Sequence, residues 1–239
     1  MHRPARRCNP KCCNSSLSFM SRPCLNTRNL APRRVLVLFA HPALERSRVN
    51  RHLVEVARNV PGVRVHDLYE AYPAFNISAK REQQLLLEHD AIVFQHPFYW
   101  YSVPAILKEW QDIVLEHGWA YGSGGTQLAG KLTLNALTTG GPEQAYGPNG
   151  WNHFSIREFL APWEQTANLC KMKFLAPFTV HSALQYATAE QLAPQLSAYR
   201  TLLSALVDDR LDLEAAAKAE KLTPPIDAFL KRASLEAVP

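Results

Sequence analysis

The chain has 239 residues, is 47% hydrophobic and carries a formal net charge of +5. That length and composition fit one domain with tails, and no apolar run nears the ~20 residues of a membrane helix, so any membrane association is expected to be peripheral. The charge is lopsided: residues 1–34 hold seven Arg, one Lys and no acid, which leaves 18 basic against 21 acidic residues over 35–239 and no nucleic-acid footprint on the body.

Residues 1–33 read as a disordered basic extension. They are Arg- and Ser-rich and acid-poor, a composition shared with organelle transit peptides, and Met20 offers an alternative start. Cys8, Cys12, Cys13 and Cys24 match no common zinc spacing. Cys170 alone falls in the body, where a small buried hydrophobe is expected.

From Arg34 strands and helices alternate. The apolar run 34–40 predicts strand 1, and 47–60 predicts a helix capped by Ser47 and ended by Pro61-Gly62. Strand 2 is expected at 63–68, a helix near 78–88 behind Ser78, strand 3 at 91–95 and a helix at 103–116. A Gly-rich loop, 118–130, precedes strand 4 at 131–137; a helix at 155–170, strand 5 at 173–181 and a helix at 188–208 follow. Five strands alternating with helices predict a doubly wound α/β sandwich over 34–209. Residues 210–239 are expected to form a helical C-terminal appendage.

The chemistry sits in the loops after strands 1, 3 and 4, on the side where open parallel sheets bind ligands. After strand 1, His41-Pro42 leads to Ser47-Arg48-Val49-Asn50 in place of G-x-G-x-x-G. A hydroxyl at a helix N-terminus with Arg46 and Arg48 nearby suits one phosphate, and equally an ordinary N-cap with solvated arginines. Phe98-Tyr99-Trp100-Tyr101 lies between Pro97 and Pro104. Four consecutive aromatics cannot all face one core, which points to a rigid loop serving a flat ligand, a partner surface or a neighbouring helix. Thr138-Thr139-Gly140-Gly141 ends strand 4 with exposed backbone N–H groups. Gly125 to Lys131 matches G-x4-G-K, but Leu132 follows where Ser or Thr must hold magnesium, and the loop enters a strand; nucleotide hydrolysis is excluded.

These segments resemble the flavodoxin-like NAD(P)H:quinone oxidoreductases, in the branch of ancillary proteins of glutathione-regulated potassium-efflux systems. The likeness is carried by 39–42 with 47–50, Tyr72 to Ile77, the block Gln95 to Trp110, His117 to Gly122, 128–131 and 138–141, and spans roughly 34–205. It implies a flavodoxin-like three-layer sandwich with a five-stranded parallel sheet in the order 2-1-3-4-5. It implies a homodimer with FMN (FAD in larger relatives), NADH or NADPH as co-substrate and a quinone as acceptor. It also implies a cytoplasmic protein, peripheral on the cytosolic face of the inner membrane, with a potassium-efflux antiporter as partner; a purely regulatory subunit, a stand-alone quinone reductase and an electron carrier are the alternatives. By position, His41, Ser47, Arg48, Val49 and Asn50 meet the flavin first, Phe98, Tyr99, Trp100 and Tyr101 wrap its ring, and Thr138, Thr139, Gly140 and Gly141 meet the ring's polar edge. Tyr146 falls at the family's catalytic Tyr position, and His153 lies one residue beyond the family's catalytic His.

Overall fold

The computed structural model describes residues 31–223 and 225–231, so residues 1–30 of the predicted tail, with its cysteines and Met20, and the last eight residues lie outside the described residues. Arg33, at the tail's end, donates its N–H to Val207 O at 2.8 Å and pairs with Asp209 at 2.6 Å. The sheet runs β2 (Val63–Asp67), β1 (Val35–Phe39), β3 (Ala91–Pro97), β4 (Leu132–Thr138) and β5 (Lys173–Phe174), all parallel, the order 2-1-3-4-5. Strands β1, β3 and β4 are buried at every residue, as expected of a parallel sheet covered on both faces. Their side chains alternate between two cores. Val35, Val37 and Phe39 pack under α1 (Asn50–Arg58) and α7 (Ala193–Val207), and Leu36 and Leu38 under α3 (Ala79–Leu87) and α4 (Ala105–Val114).

The fifth strand is in two pieces. Lys173–Phe174 pairs with Leu132–Thr133, and β6 (Phe178–Val180) pairs with Ala136–Thr138. Pro177, which has no N–H to give a ladder, lies between them. The interrupted backbone is satisfied from the C-terminal segment: Ala176 N–H donates to Ala216 O at 2.9 Å, and Leu222 N–H donates to Pro177 O at 2.8 Å. That segment, the expected appendage, carries α8 (Leu213–Lys218) and buries Leu211, Ala216, Leu222 and Ile226 in the same core as α1 and α7.

A one-turn helix, α2 (Leu68–Ala71), follows β2 where a loop is expected, and three helix boundaries differ from expectation. Helix α1 starts at Asn50, not Ser47, because a 3-10 turn at Leu44–Arg46 comes first; the Ser47 hydroxyl still takes the Asn50 N–H at 2.9 Å. The helix expected at 155–170 is Ile156–Phe159 (α5) and Ala161–Leu169 (α6), parted at Leu160, with Pro162 opening the second. Helix α7 starts at Ala193, not 188, where Pro194 fits the first turn. Ser78 caps α3 as expected, and Cys170 is buried.

One buried carboxylate fastens the α3–α4 layer. Glu82 is fully buried and accepts from Tyr72 Oη (2.6 Å), Trp110 Nε1 (2.9 Å) and His66 Nε2 (3.0 Å). Burial alone would raise the Glu82 carboxyl, but these donors outweigh it and hold it below its ordinary range. Burial and the Glu82 charge push the Tyr72 phenol up to about 12.

Candidate functional site

Lys131, the lysine of G-x4-G-K, sits at the start of β4 and donates to the His89 carbonyl, at the sheet end opposite the strand C-termini. At the C-terminal ends of β1, β3, β4 and β6 lies a cleft of about 610 Å³. It is lined by His41, Arg46, Ser47, Arg48 and Asn50 from the first loop, Pro97 to Trp100 from the second, and Thr138 to Gly140 from the third; Ala43, Ala183 and Leu184 complete it. No acidic side chain lines it, and Arg46 and Arg48 make one end cationic.

Each wall has a local cause. His41 is buried; its Nδ1 accepts the Ala43 N–H at 3.1 Å, which leaves the ring proton on Nε2. Burial lowers its pKa, so the ring is a neutral donor at neutral pH. Arg48 Nη1 donates to Leu184 O at 2.5 Å and ties the first loop to the segment after β6. Under the cleft, Tyr199 Oη donates to Gln95 Oε1 (2.9 Å), Gln95 Nε2 to Asn50 O (3.5 Å), and Asn50 Nδ2 to Thr138 Oγ1 (2.9 Å). Asn50 is 1% exposed, yet its Oδ1 has no partner among the described residues.

The aromatic loop is a tight turn. Ser102 N–H donates to Tyr99 O at 3.0 Å, and the two central residues, Trp100 and Tyr101, take φ of 50° and 61°. Such left-handed backbone costs bulky residues about 1–3 kcal/mol each and concentrates at functional sites. The turn divides the four aromatics. Tyr99 stands edge-on to His41 with centroids 6.2 Å apart, and Trp100 is 93% exposed. Tyr101 turns away from the cleft lining, stacks on Phe159 at 5.0 Å and donates to Asn152 Oδ1 at 3.1 Å. Phe98 is buried among Tyr101, Tyr146 and Phe159.

The third loop presents backbone. The N–H groups of Gly140 and Gly141, like those of Arg48 and Val49, make no hydrogen bond within the described residues. Neither Gly140 nor Gly141 has left-handed φ, and a Cβ at Gly140 would meet no atom within 4 Å. Val49 is wholly in the core, so only its backbone is available. Gly141 is outside the cleft lining, and a Cβ there would come within 3.5 Å of the Tyr146 hydroxyl.

The two residues expected after the Gly-Gly part company. Tyr146 is half-buried against Phe98, with a phenol that burial pushes up. His153 is exposed, has φ of 63° and is absent from the cleft lining. The histidine that faces Tyr146 is His181, with ring centroids 5.5 Å apart. His181, Ala183 and Leu184 were missed in the sequence. They follow the fifth strand as the named loops follow theirs, but Pro177 and the polar run after Val180 weaken the strand signal.

Fold and cleft together define a flavodoxin-like α/β protein with a crevice across its strand ends, the place where open parallel sheets bind ligands. The chain belongs to the family described as having the flavodoxin-like fold, which matches residues 33–203. It is 48% identical over 168 residues to the glutathione-regulated potassium-efflux system ancillary protein KefG of Pectobacterium carotovorum, covering 70% of this chain and 91% of that one. Among solved structures, general stress protein 14 of Treponema denticola in complex with FMN superposes with a TM-score of 0.69 and 36% identity, over 72% of this chain and 99% of that one. An NADPH-quinone reductase from P. pentosaceus superposes with a TM-score of 0.64 and 32% identity, over 71% and 97% of the two chains.

Proposed function

We propose that this protein is an FMN-dependent NAD(P)H:quinone oxidoreductase that serves as ancillary subunit of a glutathione-gated potassium-efflux antiporter. The observation that carries the reading is the cleft itself: a cationic end, an aromatic wall and backbone donors unpaired among the described residues, around one space sized for a small cofactor. The residues fit a flavin on their own chemistry. Arg46, Arg48, Ser47 and the free N–H groups ahead of α1 suit a phosphate. The unpartnered Asn50 Oδ1 awaits a donor, and the open space at Gly140 lets a flat ring approach the backbone. Bound FMN would supply hydride acceptance from NAD(P)H and two-electron delivery to a quinone. The chain's part is to hold the phosphate at Arg46–Arg48, wall the ring with Phe98 to Trp100, and offer the Gly140 N–H where negative charge grows.

Two similarities support the ancillary role and the chemistry together: a curated relative is named as an ancillary protein, and a structural neighbour as an NADPH-quinone reductase. Among the described residues no helix is long and apolar enough to cross a membrane, so the antiporter contact is read as peripheral. A homodimer is part of the same reading. Trp100 and Phe154 are exposed, and Phe154 and Tyr101 both pack on Phe159, which gathers aromatic surface beside the cleft.

The test is an absorbance spectrum of purified protein, followed by NAD(P)H oxidation with and without quinone. A flavin spectrum and quinone-dependent oxidation are expected. A protein that stays colourless when FMN is added would overturn the enzyme reading, and failure to co-purify with an antiporter of matching genomic origin would overturn the ancillary one.

A further inference from the structure

Thr139 is fully buried and lines the cleft. Behind it stands His181, just past β6, with Nδ1 3.0 Å from Thr139 Oγ1. The single hydroxyl proton of Thr139 goes to the Gly141 carbonyl at 2.8 Å, so Nδ1 must be the donor of the pair and carry the ring proton. Nε2 makes no hydrogen bond to a described residue, and His181 lines a second cleft of about 590 Å³. That cleft is formed by the turn after β4, the segment after β6 and the start of α7, so the Thr139–His181 pair is the partition between the two spaces. The partition is pinned: Thr139 N–H donates to Val180 O (3.0 Å), Ala183 N–H to Thr139 O (2.8 Å) and Ser182 N–H to Gly141 O (3.0 Å). The Tyr146 phenol lies beside the Thr139 hydroxyl.

Reduction of a quinone by NAD(P)H consumes one proton from water. The hydride brings two electrons and one proton, and the hydroquinone needs a second. We infer that His181 admits this proton from the second cleft: Nε2 takes it from water, Nδ1–H is released to Thr139 Oγ1, and the Thr139 hydroxyl turns from Gly141 O and hands its own proton into the first cleft. One proton enters and one leaves, and the ring resets by swinging Nδ1 into the second cleft, where water protonates Nδ1 and takes the proton from Nε2. His181 touches no reacting atom; it is a positioning residue that acts through Thr139. The inference rests on the oxidoreductase reading above.

The surroundings favour a neutral ring that protonates only in passing. Burial pushes the His181 pKa down to about 4. Glu143, the acid lining the second cleft, is taken up by Lys221, and the remaining titratable neighbours, Tyr146 and Tyr186, are phenols that burial pushes up.

Two experiments test this. The first needs no flavin. In protein labelled with 15N-histidine, NMR should find His181 neutral with the proton on Nδ1 from pH 5 to 8, and Thr139→Val should move it toward Nε2. An Nε2–H ring in the unaltered protein, or titration near the ordinary pKa of histidine, would overturn the inference. The second uses flavin-loaded protein in rapid mixing. Asn at 181 can still donate to Thr139 but has nothing in place of Nε2. His181→Asn should leave flavin reduction by NAD(P)H within about twofold and slow reoxidation by quinone at least ~10-fold, since positioned proton transfer is worth about 10²–10⁴. Free imidazole should restore the rate through the open cleft. Equal slowing of both half-reactions, or no rescue by imidazole, would mark His181 as structural and sink the proposal. If the unaltered protein fails to reduce quinone at all, the oxidoreductase reading falls, and the NMR result still judges the histidine.

Discussion

At the scale of single residues, the cleft separates groups that build the fold from groups that merely face it. Gly140 is the clearest case. Its φ lies outside the left-handed region and a Cβ would meet nothing within 4 Å, so Gly140→Ala should change stability by no more than about 0.5 kcal/mol. The added methyl fills space that the proposed ring needs, so FMN affinity measured by fluorescence titration should fall at least ~10-fold, about 1.4 kcal/mol. Equal affinity in the variant would remove the third loop from the flavin site. Trp100 is the opposite kind of residue. It holds φ of 50° while 93% exposed, a conformation that glycine adopts without strain. Trp100→Gly should raise the urea midpoint by relieving about 1 kcal/mol of strain, and should weaken flavin binding by removing a wall. A lowered midpoint would show that the indole is held by contacts that matter more than its backbone. Legibility followed the same division: the residue types at 98–101 pointed to a loop that cannot be all core, but which aromatic would face the cleft depended on a turn that sends Tyr101 to Phe159.

At the scale of elements, α3 and α4 are joined through Glu82, a carboxylate with three donors and no solvent. Gln keeps the shape but replaces one carboxylate oxygen with an NH2 that only donates, so either Trp110 or the Tyr72–His66 pair loses its acceptor. Glu82→Gln should therefore cost about 3–5 kcal/mol in chemical denaturation. The pH dependence has a definite sign. The folded pKa of Glu82 is depressed, so its stabilisation is complete above the unfolded value of about 4.3 and is lost as pH falls through the lower folded value. The acid limb of stability against pH should be shallower in Glu82→Gln. An unchanged limb would show that Glu82 is not ionised in the fold. The spacing of Glu82, Leu85 and Leu86 puts the carboxylate on the buried face of α3, but its three donors come from β2, the loop before α3 and α4, which no pattern within α3 encodes. The strands were easier. Runs such as Val35 to Phe39 and Ala91 to Phe94 are apolar throughout because helices cover both faces of a parallel sheet.

At the scale of the whole molecule, the C-terminal segment completes the sheet edge broken at Pro177. A chain ending at Arg210 loses Leu211, Ala216, Leu222 and Ile226 from the core and leaves the Ala176 N–H and Pro177 carbonyl unpaired. Burial of a large aliphatic side chain is worth about 1.5–3 kcal/mol, so this truncation should lower Tm steeply or abolish cooperative melting. A truncated chain that melts unchanged in calorimetry would make the segment a true appendage. The amino-acid sequence by itself determined the doubly wound class and the end of the sheet at which the cleft lies, because period-two and period-3.6 patterns are local properties of the backbone. It also named three of the four loops around the cleft. Only the tertiary structure brought the fourth loop to the site, set His181 and not His153 beside Tyr146, and drew the last helix onto the broken strand. Those placements are made by hydrogen bonds between residues 40 to 45 positions apart, Ala176 with Ala216, Thr139 with His181 and Leu222 with Pro177, and no local pattern encodes a pairing over that distance.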